Sequence, residues 1–193
     1  RKQNIVFFNN HLYKDILDKE EKLHKDVRKY PELKEYRKGG NRQKNKLPVW
    51  VAFSYFELGT VTMMYNYLRG DLRKAILVYS FGQTTYAKRD TEVMDTWLDA
   101  VRNLRNYCAH NSMLVGMTSS VVLMDSNDDA TLLPADNDLF SRIYALKKLI
   151  PIDDTNNMKK DIKKLINRTS VDILLLGILP RNWEDIYDKI VEF

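Results

Sequence analysis

The sequence predicts an all-α fold, and three observations carry that expectation. The 193-residue chain holds only 7 glycines and 5 prolines, so little interrupts long helices. Met94, Trp97, Leu98, Val101, Leu104 and Cys108 recur at helical spacing and give one helix a single apolar stripe. Leu139 to Ile150 repeats the pattern with Phe140, Ile143, Tyr144, Leu146 and Ile150. Apolar residues make up 44% and aromatics 11%, which suits a packed core and argues against disorder. At this length one domain spanning residues 1–193 is expected.

Taken in order, Asn4 to Tyr13 is apolar and reads as a short helix or a fragment of one. Lys14 to Lys38 is charge-laced, with a thin stripe of Ile16, Leu17, Leu23, Val27 and Tyr30; it predicts one or two exposed helices broken at Pro31. Arg37 to Lys46 combines Gly39-Gly40 with Arg37, Lys38, Arg42, Lys44 and Lys46. That composition fits a loop that contacts phosphate, and equally a solvated linker. Pro48 stands where a helix starts. The following VWVAFSYFELGTVTMMYNYL is apolar nearly all round and predicts a buried central helix, with Gly59 marking a close crossing or a break. Asp71 to Tyr79 predicts a short helix punctuated by Phe81-Gly82. Thr91 has the character of an N-cap, with Glu92 and Asp95 in the first turn after it. Val121 to Met124, the turn-like Asp125 to Asp129, and Thr131 to Leu133 predict a small β-hairpin insertion. Leu139–Ile150, Met158–Ile166, Val171–Leu176 and Trp183–Val191 read as further helical segments.

Composition narrows the chemistry. With 3 His and 1 Cys, and no paired spacing such as HxxxH or CxxC, no transition-metal site is expected. The Asp125 to Asp129 cluster lacks the glycine and distal glutamate of a calcium loop. Neither GxxxxGK[ST] nor GxGxxG occurs, so no cofactor is expected. No stretch reaches membrane-spanning length, and the single cysteine suits a reducing, cytoplasmic setting. Cys108 falls on the apolar stripe, where a cysteine packs as a small core residue and does not serve as a nucleophile.

The remaining candidates lie in Arg102-Asn103-Leu104-Arg105-Asn106-Tyr107-Cys108-Ala109-His110-Asn111. Arg105 lies on or beside the apolar stripe, where a guanidinium needs an anionic partner. Asn106 and His110 are four apart and share a face if the helix reaches that far. A histidine can take the proton of a ribose 2′-hydroxyl or give one to a leaving oxygen near neutral pH. An arginine can hold a phosphate and offset the charge gained in the transition state. Asn106 can orient either group. Such a set can cleave RNA without metal, leaving a 2′,3′-cyclic phosphate and a 5′-hydroxyl. A second copy across a two-fold axis would supply both the acid and the base. Arg102 and Asn111 flank the set as candidate RNA contacts, and a net charge of +5 suits a polyanionic partner. The structural alternative pairs Arg105 with a buried carboxylate such as Glu57 and leaves His110 as a helix cap.

The string LRNYCAHNSML resembles the motif of the Abi-like (abortive infection) family, within the HEPN superfamily of helical ribonucleases. In that motif an Arg is followed by four to six residues, the first polar, and then His; Arg105 to His110 fits the four-residue form. Leu47-Pro48-Val49-Trp50-Val51 running on to Leu58-Gly59-Thr60 resembles the family's LPxW segment and its Gly-Thr. Leu179-Pro180-Arg181-Asn182-Trp183-Glu184 is similar to its C-terminal Pro-x-x-Trp. The resemblance implies a HEPN-type helical bundle and a homodimer with both motifs in one cleft at the two-fold interface. It further implies metal-independent endoribonuclease activity in antiviral defence or as a toxin, restrained in some members by an antitoxin protein or small RNA. It also implies that helices preceding Arg1 in the family are missing here. The chain departs from the pattern after His110, where Asn111-Ser112-Met113-Leu114 replaces a Ser-Arg-Leu-Trp-Asn run, and at Ser54, where an acidic residue is expected. These departures imply the alternative of a catalytically silent module that binds RNA or scaffolds a partner.

Overall fold

Helices supply all the regular secondary structure of the computed structural model, which describes residues 18–19, 21–22, 31, 33, 49–124, 132–191 and 193. Seven helices have defined bounds: α1 Val49–Tyr55, α2 Leu58–Tyr67, α3 Gly70–Phe81, α4 Lys88–Ala109, α5 Leu139–Leu149, α6 Ile152–Arg168 and α7 Trp183–Lys189. No β-strand occurs among the described residues, so the all-α expectation holds there. Asn4–Tyr13, most of Lys14–Lys38, Arg37–Lys46, Pro48 and the Asp125–Asp129 turn lie outside the described residues. The chain forms two compact units, Arg1–Ser80 and Phe81–Phe193.

In the first unit, the long helix expected after Pro48 is two helices. Phe56 still donates to the Ala52 carbonyl at 2.9 Å, but Glu57 is extended at φ −65° and ψ 151°. Its carbonyl then accepts from both Thr60 (2.8 Å) and Val61 (3.1 Å), which starts α2 afresh. The break thus falls two residues before Gly59. Nor is the segment buried all round. Val51 and Ala52 pack on Leu33, with Tyr55 and Phe56 against them, while Trp50 is 72% exposed. A helix this short meets its core along one face only. α3 ends as the sequence predicts, with Gly82 at φ 79° just beyond Phe81.

The second unit is built on α4 packed along α5. Trp97 of α4 is fully buried and meets Tyr144 of α5 edge-on at 6.0 Å and Phe193 at 4.7 Å. α4 starts one turn before the expected cap. The Asp90 carboxylate reaches back to accept the Ala87 N–H at 2.6 Å, whereas Thr91 is buried and donates to the Lys88 carbonyl at 2.7 Å. α5 is capped by Asp138, whose side chain accepts the Ser141 N–H at 2.8 Å.

The hairpin does not form among the described residues. Leu123 donates to the Asp136 carbonyl (2.9 Å) and Ser119 to that of Asn137 (3.0 Å), but the backbone groups of Val121 and Met124 go to side chains. Met124 donates to Thr96 Oγ1 (3.1 Å) and accepts from the Trp97 indole (2.9 Å), and the Val121 carbonyl accepts from Arg142. Polar groups satisfied this way need no strand partner. Val171–Leu176 is likewise a turn and not a helix. Asp172 Oδ1 accepts the N–H groups of Leu174 (3.1 Å) and Leu175 (2.9 Å), an Asx arrangement, and Gly177 at φ 68° ends the turn. Ile173 and Leu174 pack with Met158, Ile162 and Ile166 of α6 onto a core of Phe140, Leu179, Trp183, Ile186 and Tyr187.

Tyr187 gives a pH test of this core. Its hydroxyl donates to the Thr155 carbonyl at 2.7 Å, and burial, aided by Asp188, pushes its pKa from 10.0 up to about 12. The phenol is neutral in the fold but ionises near pH 10 once unfolded. Its stabilisation is therefore complete below pH 10 and is lost as pH rises toward 12. The unfolding free energy from urea titrations measured against pH is expected to fall by roughly 2–3 kcal/mol in this window. In Tyr187→Phe that part of the slope is expected to vanish; an unchanged slope would assign it to another group.

Candidate functional site

The motif occupies the last turn of α4 and the residues just after it. Two neighbouring facts place it in solvent. α4 has 22 residues and α5 only 11, so α4 is about 33 Å long against about 16 Å and outruns its partner. Burial along α4 falls accordingly. Thr91, Val93, Met94, Trp97 and Ala100 are buried, Val101 to Leu104 are half-buried, and Arg105, Asn106, Cys108, Ala109 and His110 are exposed.

Two expectations are corrected by this. Cys108 is exposed and is not a core residue, because the apolar stripe continues in sequence past the point where anything packs on it. Arg105 is exposed too, so no buried anion is needed; its Nη1 donates to Asn106 Oδ1 at 3.3 Å. Glu57, the buried carboxylate that the structural alternative requires, is itself exposed.

α4 runs far enough for Asn106 and His110 to stand one turn apart, while Arg105, five residues before His110, lies about 140° away around the helix axis. α4 reaches Ala109, His110 is its C-cap, and the His110 N–H donates to the Asn106 carbonyl at 3.0 Å. The imidazole, amide and guanidinium therefore project from one helix end with open access to solvent. Arg102 is half-exposed and pairs with Asp99 at 2.9 Å. A surface pair of this kind contributes at most about 1 kcal/mol, so a phosphate can compete for the arginine. Arg37, Lys38, Arg42, Lys44 and Lys46 lie outside the described residues. Among the described residues no group of His, Cys, Asp or Glu is arranged to hold a metal ion.

Asn111 has a structural reason for its identity. It takes φ 51°, with its N–H donating to the Cys108 carbonyl (3.2 Å) while the Ser112 N–H donates to that of Tyr107 (2.9 Å). These two bonds with a left-handed residue between them make a Schellman stop. Asparagine tolerates that conformation better than other residues with a side chain.

One residue near the motif escaped the sequence reading. Arg142 of α5 is fully buried, and its guanidinium donates to the Asp136 carbonyl (3.1 Å), to Ser141 Oγ (2.9 Å) and to the Val121 carbonyl. Its Nε has no partner. Burial lowers its pKa, against the opposing pull of Asp138, Asp136 and Tyr107. A lone arginine on an otherwise amphipathic helix gave no signal of this in the sequence.

Fold and site together define an all-α protein with a polar Arg–His motif at an open helix terminus. The chain belongs to the Abi-like family: the family model described as Abi-like protein matches residues 1–115. That span takes in the Trp50 block and the whole motif, ending five residues past His110, while the Leu179–Glu184 block lies outside it. Membership points to a role in abortive infection. No curated protein and no solved structure matches the chain. No described helix is long and apolar enough to cross a membrane.

The Schellman stop separates structure from recognition at Asn111. Asn111→Gly is expected to keep or slightly raise the melting temperature, and Asn111→Val to lower stability by roughly 1–2 kcal/mol. If Asn111→Gly keeps its RNA affinity in a binding titration, asparagine is there for the helix stop. A large loss would make it an RNA contact.

Proposed function

We propose that this chain is a metal-independent endoribonuclease of the HEPN type, acting in the cytoplasm in phage defence or as a toxin. The observation that carries the reading is the shared exposure of Arg105, Asn106 and His110 at the end of α4. In this reading His110 takes the 2′-hydroxyl proton and the 2′-oxygen attacks the adjacent phosphorus. The bond to the 5′-oxygen breaks, and that oxygen leaves with a proton from the second His110. Arg105 holds the non-bridging oxygens as charge builds on them. Asn106, already bonded to Arg105, orients the guanidinium. One copy offers one imidazole, so acid and base both require a homodimer with the two motifs at its two-fold interface. Exposed Met113 and Val115, just past His110, supply apolar surface for that contact. Residues 1–193 would serve as a single module, with Arg102 and the Arg37–Lys46 segment gripping phosphates, and with an antitoxin protein or small RNA as restraint.

A second reading is a catalytically silent HEPN module that binds RNA or scaffolds a partner. The replacement of the expected Ser-Arg-Leu-Trp-Asn run by Asn111-Ser112-Met113 favours it. So does Ser54, whose hydroxyl donates back to the Trp50 carbonyl at 3.0 Å where the family carries an acid.

Cleavage of a mixed RNA pool with end-group analysis separates the two. The nuclease reading expects 2′,3′-cyclic phosphate ends, a loss of about 10²-fold or more in His110→Ala and Arg105→Ala, and unchanged circular dichroism. Salt-sensitive binding with no turnover, indifferent to His110→Ala, would establish the silent module instead.

A further inference from the structure

After His110 the chain does not leave α4. It turns at the Schellman stop and runs back along the same helix, so that Met124 bonds to Thr96 and Trp97, more than three turns before His110. Residues 111–124 thus form a strap with His110 at its bend. One end is fixed by Tyr107 and Cys108, whose carbonyls hold Ser112 and Asn111. The far end is fixed by Thr96 and Trp97. Between them, Met117 and Leu123 are buried, while Met113, Val115 and Val122 are exposed. The middle of the strap is gripped by Arg142 through the Val121 carbonyl, and the same guanidinium grips the Asp136 carbonyl at 3.1 Å. Leu123 donates to that Asp136 carbonyl as well, at 2.9 Å.

A fully buried guanidinium is an expensive way to tie a loop. Desolvation opposes it, no carboxylate bonds to it directly, and apolar residues often fill such a position with equal or greater stability. What a planar cation adds is geometry: two carbonyls from different segments held at fixed positions by one rigid group. We propose that Arg142 is a positioning residue for His110, fixing the strap so that the imidazole stands still beside Arg105. This rests on the nuclease reading, in which a displacement of about 1 Å at the reacting groups can lower the rate about 10²-fold.

The test uses the full chain and a single-stranded oligoribonucleotide. In Arg142→Met, kcat is expected to fall about ten- to a hundredfold with KM within about twofold, and Arg142→Lys to recover part of the loss. Amide exchange at Ser119 and Leu123 is expected to accelerate. A folded Arg142→Met with parental kcat, or with a raised KM alone, overturns the proposal. If Arg142→Met does not fold, Thr96→Val decides, because it frees Met124 without touching the buried charge; faster exchange with parental kcat overturns the proposal equally. If the parent itself cleaves no RNA, the nuclease reading falls and positioning is judged separately by proton NMR. The His110 ring resonance, assigned by its loss in His110→Ala, is expected to shift or double in Thr96→Val. An unchanged line there overturns the positioning role.

Discussion

The Trp97 indole is the constraint on which the second unit depends. Its ring is fully buried between Tyr144 and Phe193, and its N–H donates to the Met124 carbonyl. Thr96, its neighbour, accepts the Met124 N–H. Two adjacent side chains on one helical turn thereby take both backbone groups of a single residue 27 and 28 positions away. That fixes where the strap ends, and with it the point from which the chain sets out toward α5. The lysines of α5 complete the arrangement. Lys147 donates to the carbonyls of Tyr187 (2.5 Å) and Ile190 (3.1 Å) at the end of α7, and Lys148 to that of Val191. Cations at a helix C-terminus meet both the open carbonyls and the negative end of the dipole.

From this anchor the exposure of the motif follows by length. α4 is held at Trp97, near its middle, and runs on for about three turns beyond it, the last of them from Arg105 exposed. A helix carried beyond its core normally frays, because its last carbonyls lack partners. Here the Schellman bonds from Asn111 and Ser112 occupy the carbonyls of Cys108 and Tyr107, and the strap returns to the helix body. The result is an ordered helix end with a polar face in solvent. A catalytic pair needs the same combination of access with fixed geometry.

The sequence disclosed some of this and hid the rest for identifiable reasons. The helical periods of α4 and α5 were plain, as was the stop at Gly82, because each rests on local spacing. The Arg105–Asn106–His110 grouping was legible for the same reason. Periodicity could not say where burial stops, since Leu104 and Cys108 continue the stripe of Met94 and Trp97 although Cys108 is exposed. Gly59 announced the break between α1 and α2 only to within two residues, because the extended residue is Glu57. Val121–Met124 has β-prone residues, but it hydrogen-bonds to Thr96, Trp97, Asp136 and Arg142, partners too distant in sequence for local pattern to show. Val171–Leu176 followed apolar content into a helix assignment, when the single carboxylate of Asp172 set an Asx turn. Arg142 was invisible because its importance lies in the Val121 and Asp136 carbonyls, which local pattern does not connect to it.

Charge divides along the same line as the two units. Arg1–Ser80 holds 17 Lys and Arg against 9 Asp and Glu, a net of +8, whereas Phe81–Phe193 holds 14 against 17, a net of −3. The positive balance of the chain therefore does not come from the unit that carries Arg105 and His110. In that unit Lys159 pairs with Asp188 at 2.6 Å, Lys163 with Glu184 at 2.7 Å and Arg102 with Asp99 at 2.9 Å, so much of its cationic surface is already matched. RNA affinity that relied on the motif's own unit would meet net repulsion at long range, and the local fields of Arg105 and Arg102 would have to draw a phosphate in. On the nuclease reading, attraction and chemistry consequently fall to different stretches of sequence. On that reading residues 1–80 would supply the sequence-blind, salt-sensitive hold on the backbone. The end of α4 supplies a short-range contact whose strength depends less on ionic strength than on where the strap holds His110.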